Sequence, residues 1–445
     1  MKIAASEYLS RRLDIMQSLS ANAAALLPAA ALRYRNRDAE YAFRQDSDFL
    51  YLTGFPEPDA LLLLLPDGDG GGRSVLFCLP RDREKEIWTG YRFGPKGAME
   101  SCGFDEAYNL EQLDEKMLEY LDGRSELYYP LAKDQRLSAG IERWRTQIQA
   151  KYRSADRVPQ HFHNLEPLLH EMRLHKSNSE QELMRAAGQL SAQGHLQAMQ
   201  QCQSGVMEYQ LEASILHYFA QNGARWPAYN TIVGGGENGC ILHYTENRDA
   251  LKDGDLVLID AGAEVDGYAG DITRTFPVNG RFSEDQRRLY QLVLDAQLAA
   301  IDTVAPGASW NAPHEAAVRV LTSGLLELGL LVGELEQLIE AEAYRPFYMH
   351  RTGHWLGLDV HDVGEYKQDG QWRPLQSGMV LTVEPGLYIA PDCEAVEPRW
   401  RGIGIRIEDD VLVTEQGAEV LTAAAVKTVE AIEGLMASQK DSKTL

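Results

Sequence analysis

The chain has 445 residues, of which 44% are hydrophobic and 24% are charged. This balance is that of a globular protein with a large core, and it excludes a wholly disordered chain. The 66 acidic and 43 basic residues give a formal net charge of −23. Such a charge repels phosphate backbones and anionic lipids, so we expect neither nucleic acid nor a membrane as a partner.

The first hydrophobic run covers residues 23–32 and is interrupted by Pro28. It is shorter than the roughly 18 apolar residues that span a bilayer, and it predicts a helix end leading into a buried strand rather than a signal peptide. The five cysteines are odd in number, scattered and without a CxxC pair. This pattern favours a reducing, cytoplasmic compartment over a disulfide framework.

Residues 1–172 are predicted to form a small α/β domain. Two short apolar runs between 41 and 66 are separated by a turn at 54–56. A strand is expected at 75–79, and residues 106–121 have a helical pattern. Helices that alternate with short strands are typical of an α/β unit.

A second domain, residues 173–445, begins with a helix whose start fits two capping boxes equally well, Ser177 with Glu180 or Ser179 with Glu182. Helices are predicted to about 202 and over 207–222, followed by strands at 229–233 and 240–244 and a hairpin across 255–277. The same order returns at 283–304, 311–329, 379–389 and 402–413, which indicates an internal duplication unless this common order recurs by coincidence. The polar tail 437–445 is expected to fray.

The predicted hairpin carries two aspartates, Asp260 and Asp271. They are symmetric about a turn between Val265 and Asp266, so we expect them to be opposed cross-strand partners with Cβ atoms about 4.5–5.5 Å apart. Two buried like charges repel each other and require a cation between them. The alternative is one exposed aspartate with the other at a turn.

Two glutamates of the second half, Glu384 and Glu408, each follow an apolar strand as Asp260 does. Arg406 lies two residues before Glu408, so strand periodicity places both on one face. A solvated sheet edge is the usual explanation for one such glutamate. Four acids in matching positions of two similar halves argue against it, and one arginine cannot neutralise four carboxylates.

Three of the eleven histidines, His350, His354 and His361, lie within twelve residues. Glycines interrupt this segment and it does not sustain a helical pattern, which predicts a functional loop rather than three structural side chains. A fourth, His243, follows a glycine-rich loop. No HExxH pattern is present, which excludes the helical zinc-protease site.

The glycines at 234, 236 and 239 match GxGxxG. A dinucleotide site requires these glycines to open a helix. Because 240–244 reads as a strand, we interpret them as a turn that positions His243.

Together these segments resemble the metal-dependent pita-bread peptidases of family M24, and within them the aminopeptidase P (Xaa-Pro aminopeptidase) family. The resemblance covers nearly the whole chain. It implies α/β (α+β) architecture, with a pseudo-two-fold catalytic domain at 173–445 and an accessory domain at 1–172. The matching segments are 35–60, 229–247, 255–278, 354–364, 379–389 and 402–410.

The resemblance implies two divalent metal ions per chain. Four carboxylates and one imidazole suit Mn²⁺, with Co²⁺ or Zn²⁺ as alternatives. Asp271 and Glu408 are implied to bridge both ions. The implied ligands are Asp260, Asp271, His354, Glu384 and Glu408.

The implied activity is removal of the residue that precedes proline at a peptide N-terminus, by attack of a hydroxide that bridges the two ions. Glu384 is expected to take the proton of the attacking water, and His243 and His361 to stabilise the oxyanion. Arg406 is expected to orient a carboxylate ligand. Tyr229 and His350 are candidate substrate-binding residues.

Peptides with an Xaa-Pro N-terminus are the expected partners, and family members often form dimers or tetramers, which makes a homo-oligomer the expected state. Two alternatives stay open. An Xaa-Pro dipeptidase (prolidase) of the same fold would need a group that grips a dipeptide carboxylate. A non-catalytic binding module would be expected to have lost ligands, and all five are present.

Overall fold

The computed structural model describes residues 2–131 and 133–442. The chain divides into two compact units, one formed by Lys2–Arg173 and one that begins at Leu174. Within the described ranges, no helix is both long and apolar enough to cross a lipid bilayer.

The first unit contains a six-stranded sheet in the order β4-β3-β2-β1-β5-β6. Strand β1 is fully apolar apart from its final proline, and it lies at the centre because both of its faces are covered. The strands are β1 Ala23–Pro28, β2 Leu61–Pro66, β3 Gly72–Cys78, β4 Glu106–Asn109, β5 Glu126–Tyr129 and β6 His161–Asn164. The helices are α1 Ala5–Gln17, α2 Ser47–Thr53, α3 Arg83–Thr89, α4 Gly94–Cys102, α5 Leu113–Tyr120, α6 Gln135–Tyr152 and α7 Glu166–Leu174.

The helix expected over 106–121 is partly wrong. Its first four residues form β4, parallel to β3, and α5 begins only at Leu113. Tyr108 of β4 stacks on Phe77 of β3 with ring centroids 5.9 Å apart. Cross-strand aromatic packing of this kind outweighs a local helical pattern.

The second unit contains six helices and twelve strands within its described residues. The helices are α8 Asn178–Gln201, α9 Glu208–Gln221, α10 Glu284–Asp302, α11 Ala312–Glu327, α12 Leu335–Glu340 and α13 Val429–Ser442. The strands are β7 Ile232–Gly235, β8 Leu256–Asp260, β9 Glu264–Val265, β10 Tyr268–Ala269, β11 Thr273–Pro277, β12 Lys367–Gln368, β13 Gln371–Trp372, β14 Val380–Val383, β15 Gly386–Ile389, β16 Ile403–Arg406, β17 Asp409–Thr414 and β18 Gly417–Val420.

The predicted order of helix, helix and strands is confirmed in both halves of this unit. Helices α8 and α9 precede the sheet β11-β8-β7, and α10 and α11 precede β14-β17-β18 and β15-β16. Of the two possible capping boxes, the structure uses Ser177 with Glu180. The pair of halves is the mixed α/β architecture that the sequence predicted.

Two local predictions in this unit are wrong. Residues 240–244 do not form a strand, because the chain makes a 3₁₀ turn over Gly236–Cys240 and then an open loop. A Cβ atom at Gly234 would lie 2.9 Å from the Asn238 backbone, so the turn packs directly on β7. The tail is helical through Ser442 rather than frayed, and 443–445 lie outside the described residues.

The hairpin of β8 and β11 is present, but its register differs from the prediction. Asp260 lies opposite Thr273 rather than Asp271. The chain reverses at Asp266 and Gly267, whose φ angles are 48° and 90°, as two-residue hairpin turns with two positive φ values require. The pairing therefore shifts by two residues, which leaves Asp271 on the same face as Asp260, as its diagonal neighbour.

Candidate metal centre

Four acidic side chains stand at the ends of buried strands. Asp260 is the last residue of β8, and Asp271 lies two residues before β11. Glu384 directly follows β14, and Glu408 occupies the gap between β16 and β17. The strands are apolar because they fill the core, so their ends deliver these carboxylates to the floor of one cavity of about 920 Å³.

The carboxylates converge on one imidazole. The donor atoms of Asp271, His354 and Glu408 all lie within 4.8 Å of one another. His354 Nε2 is 3.4 Å from Asp271 Oδ2 and 3.6 Å from Glu384 Oε1. Its Nδ1 contacts the Trp355 carbonyl oxygen at 2.9 Å. This contact makes Nδ1 a donor to the carbonyl, so Nε2 is the ring nitrogen that is directed at the carboxylates.

Two side chains connect Asp260 to this group. The Tyr229 hydroxyl lies 2.6 Å from Asp260 Oδ1 and 2.5 Å from Asp271 Oδ1. Arg406 donates from Nη2 to Asp260 Oδ2 at 2.6 Å. The sequence placed Arg406 on the same face as Glu408 and did not specify its carboxylate partner, which in the structure is Asp260.

The electrostatics of the cluster show an excess of negative charge. Burial raises the pKa of Glu408 well above its usual value, and Asp271 and Glu384 raise it further. Burial also raises the pKa of Asp271, and it raises that of Glu384 to about 7. Burial alone would lower the pKa of His354, but Asp271 and Glu384 outweigh it and raise the value to about 9.

These observations fit a site for divalent cations. Buried carboxylates stay ionised only when positive charge compensates them. Among the described residues, Arg406 is the only arginine that donates a hydrogen bond to a side chain of the four acids. A donor set of carboxylate oxygens with one imidazole nitrogen suits hard or borderline divalent ions. The residues present therefore fit a divalent cation as a class.

Three further histidines line the same cavity: His243, His350 and His361. The ring of His361 meets that of His354 edge-on at 4.3 Å, and burial lowers its pKa, with the charge of His354 adding to the effect. His350 Nδ1 lies 3.9 Å from Glu384 Oε2. The predicted loop therefore brings its histidines to the carboxylates.

Sequence reasoning missed three residues that hold the site. Thr382 Oγ1 accepts from the His354 backbone N–H and donates to Glu384 Oε1. Thr273 Oγ1 donates to Glu408 Oε2 at 2.6 Å. Both threonines lie two residues from an acid on the same strand segment, so period-2 reasoning could have found them.

The third missed residue is Tyr388, for which the sequence carries no local signal. Its hydroxyl lies 2.9 Å from His350 Nε2 and accepts from Arg406 Nη1 at 3.0 Å. It thereby joins the histidine loop to the arginine beneath the carboxylates.

A second acidic group, in the first unit, is not a comparable metal site. Asp48 lies near Glu166 and His170, but Arg173 contacts it at 2.7 Å and Lys133 at 3.2 Å. Burial raises the pKa of Asp48, yet the hydrogen bond with His170 and the charges of Arg173 and Lys133 outweigh it and hold the pKa below its usual value. The protein already supplies the positive charge there.

Comparisons with known proteins agree with this geometry. The model of metallopeptidase family M24 matches residues 182–415, and that of the aminopeptidase P N-terminal domain matches 8–128. The Xaa-Pro aminopeptidase of Escherichia coli (strain K12) is 47% identical over 99% of both chains. The structure of Pseudomonas aeruginosa aminopeptidase PepP is 52% identical over 99% of both chains, with a TM-score of 0.97. That of E. coli aminopeptidase P with the inhibitor Pro-Leu is 46% identical, with a TM-score of 0.96, over 99% of this chain and 100% of that one.

Proposed function

The chain belongs to metallopeptidase family M24, and on that premise we propose that it is an Xaa-Pro aminopeptidase. It removes the first residue from peptides that carry proline in second position. The observation that carries this function is the cluster of four acids and one imidazole at the floor of a cavity that is large enough for a peptide. Full-length relatives that bear this activity in their names support it.

We propose that Asp260, Asp271, His354, Glu384 and Glu408 hold two divalent ions, Mn²⁺ first, with Co²⁺ or Zn²⁺ as alternatives. Asp271 and Glu408, whose donor atoms lie within 4.8 Å of each other and of His354, are the proposed shared ligands. Ions bound there supply Lewis acidity, which makes hydroxide available near pH 7 and polarises the substrate carbonyl.

The side chains of the chain itself handle the proton and the developing charge. Glu384, which lines the cavity beside His354, accepts the proton of the attacking water. His361, whose pKa burial lowers, stays neutral and donates a hydrogen bond to the oxyanion, with His243 at the same cavity wall as its partner in this role. Arg406 positions Asp260.

The two candidate substrate-binding residues take different positions. His350 lines the cavity and contacts Tyr388 and the Glu384 carboxylate, and we propose that it faces the proline side of the substrate. Tyr229 also lines the cavity, but its hydroxyl is shared by Asp260 and Asp271. We propose that it positions these carboxylates in addition to any substrate contact.

Proline explains why such a site is required. The Xaa-Pro amide has no N–H group, and proline fixes φ near about −65°, so a peptidase that grips this N–H cannot use the bond. A site that holds the free amine and polarises the carbonyl can. We expect it to cleave the trans isomer, which is the majority form.

The remaining assignments are also proposals. Residues 173–445 form the catalytic domain, because every proposed site residue lies there, and residues 1–172 form the accessory domain. A homo-oligomer and a cytoplasmic location are the states we expect for the protein.

The test is hydrolysis of matched peptides by Mn²⁺-loaded enzyme. We expect cleavage of Xaa-Pro-Yaa-Zaa after its first residue and none of Xaa-Ala-Yaa-Zaa, which preserves length and charge. Activity confined to the dipeptide Xaa-Pro would instead identify a prolidase. Absence of hydrolysis of every proline peptide would exclude both enzymes.

A further inference from the structure

Two cations meet at one aromatic ring in the cavity wall. The Arg351 guanidinium lies 5.0 Å from the centroid of the Trp372 ring, and Lys367 Nζ lies 4.3 Å from it. Arg351 and Trp372 line the same cavity as Glu384. In a chain with a net charge of −23, two gathered positive charges would be expected to have acidic partners.

Within the part of the chain that the structure describes, acidic partners are missing at this ring. Among the described residues, no carboxylate forms an ion pair with Arg351 or Lys367 within 4.0 Å. Arg351 donates to the neutral amide oxygen of Asn311. The nearby acid Glu315 is held by the Asn311 amide nitrogen instead, at 2.6 Å.

The positive charge of Arg351 is therefore not balanced by a carboxylate among the described residues. Partial burial lowers the pKa of its guanidinium, against the weaker opposing influences of Tyr348, Tyr344 and Glu315. Arg351 is an exposed cation at the cavity wall, and among the described residues it has no carboxylate partner, so it can bind an anion that enters the cavity. The planar guanidinium is suited to a carboxylate, which it can bind through two parallel hydrogen bonds.

The position of Arg351 indicates which substrate carboxylate it can bind. It directly follows His350, whose Nδ1 lies 3.9 Å from Glu384 Oε2. Neighbouring Cα atoms are about 3.8 Å apart, and an extended peptide advances about 3.4 Å per residue. A peptide whose scissile bond lies at Glu384 therefore brings its third or fourth residue within reach of the long Arg351 side chain.

We propose that Arg351, assisted by Lys367, binds a substrate carboxylate beyond the proline and so selects short peptides of the form Xaa-Pro-Yaa or Xaa-Pro-Yaa-Zaa. The carboxylate is that of the peptide C-terminus or of an acidic side chain in third position. This inference rests on the proposed function, because it assumes that the peptide runs from the carboxylate cluster along this wall.

The test compares Ala-Pro-Ala, its C-terminal amide and Ala-Pro-Asp-amide on wild-type enzyme and on Arg351→Gln. A charge-assisted hydrogen bond supports about a tenfold preference, so we expect kcat/KM of the wild type to be about tenfold higher for the free acid than for the amide. Arg351→Gln should bring this ratio close to one. A similar preference for the Asp peptide amide would show that an acidic side chain also serves.

Arg345→Gln is the matched control. Arg345 is exposed, lies six residues away, pairs with Glu342 at 3.2 Å and does not line the cavity. Arg345→Gln removes the same charge as Arg351→Gln but at a position outside the cavity. The ratio of kcat/KM for the acid to that for the amide should therefore stay at its wild-type value. An equal loss of the ratio in both variants would mean that only long-range charge acts, and it would overturn the assignment of Arg351.

A binding measurement separates this inference from the proposed function. Calorimetric titration of Mn²⁺-loaded enzyme with Pro-Ala and Pro-Ala-amide should show about a tenfold tighter Kd for the free acid, lost in Arg351→Gln. If no Xaa-Pro peptide is hydrolysed, the proposed function fails. The titration still shows whether Arg351 binds a peptide carboxylate. Equal binding of acid and amide by the wild type, or a preference retained in Arg351→Gln, overturns the inference.

Discussion

At the scale of single residues, the site is defined by carboxylates whose charge the protein does not balance. Four acids lie around one imidazole, and Arg406 reaches only Asp260 among them at hydrogen-bond distance. Glu408 is 2% exposed and Asp271 is 5% exposed, so water cannot offset their repulsion. The arrangement is explained if divalent cations complete it.

Replacing Asp271 by Asn tests the role of a single ligand. The variant removes one negative charge and keeps the shape of the side chain, so we expect a folded protein with turnover lost. Lewis-acid catalysis worth several kcal/mol corresponds to roughly a thousandfold or more in rate. The measurement is kcat with saturating Mn²⁺, alongside circular dichroism of the variant. A kcat near that of the wild type would show that Asp271 is not a ligand.

The raised pKa values predict the pH dependence of the metal-free protein. The folded-state pKa is raised to about 7 for Glu384 and to about 9 for His354, from ordinary values near about 4.3 and 6.5. A group whose pKa is raised by folding stabilises the protein below the unfolded value and loses this contribution as pH rises through the folded value. Between pH 5 and 9 both contributions are therefore lost.

We accordingly expect the Tm of chelated protein to fall as pH rises from about 5 to about 9. Saturating Mn²⁺ should flatten the profile, because the metal replaces the protons. Scanning fluorimetry over this range, with and without chelator, measures both profiles. If the Tm of the chelated protein rises over the same interval, Glu384 and His354 do not share a buried acidic cluster in the folded protein.

Asp260, Glu384 and Glu408 could be identified from the sequence because each follows an apolar strand segment, which is a local signal. Asp271 was identified from its position opposite Asp260 in the predicted hairpin. Tyr388 could not be identified, because its contacts with His350 and Arg406 depend on how distant strands pair. Strand periodicity placed Arg406 on the same face as Glu408 but could not identify Asp260 as its hydrogen-bond partner, because a long side chain can reach an acid on another strand.

At the scale of elements, close backbone packing positions the acids and the histidine loop. Strand β16 leads from Gly404 to Arg406, and it packs on the 3₁₀ turn that precedes His243. A Cβ atom at Gly404 would lie 2.1 Å from the Gly239 carbonyl oxygen. Neither backbone can move without displacing a site residue.

Gly404→Ala should therefore destabilise the protein. Overpacking of this kind costs about 1–3 kcal/mol, and we expect the urea midpoint to fall by a corresponding amount. The control is Gly434→Ala in α13, where a Cβ atom meets nothing within 4 Å and helix propensity improves. An unchanged midpoint for Gly404→Ala would mean that the strand and the turn can separate without cost.

Element order was more predictable than register. Caps and hydrophobic periodicity located both helix pairs, because these signals lie within each element. The predicted cross-strand partner of Asp260 was wrong by two residues. The positive φ values at Asp266 and Gly267 fix the turn at this Asp-Gly pair, whereas the prediction centred the turn one residue earlier. The expected strand at 240–244 failed because the glycines before it form a tight 3₁₀ turn.

At the scale of the whole molecule, the charge of −23 places the metal site within a strongly acidic chain. Removal of the metals adds repulsion at the core of the second unit. We expect chelation at pH 7.5 to lower the Tm by several degrees, since a ligand at 100 times its Kd contributes about 2.7 kcal/mol.

Asp271→Asn provides the control for this experiment. It has fewer opposed charges, so its Tm should respond less to chelator than that of the wild type. A wild-type Tm that is unchanged or raised by chelation would argue against clustered carboxylates in the folded protein.

The most direct test is anomalous diffraction at the manganese edge from crystals of the Mn²⁺-loaded protein. We predict two peaks about 3.5–4 Å apart, enclosed by Asp260, Asp271, His354, Glu384 and Glu408. No peak among these side chains, or peaks only elsewhere in the chain, would contradict the assignment of this cavity as the metal centre.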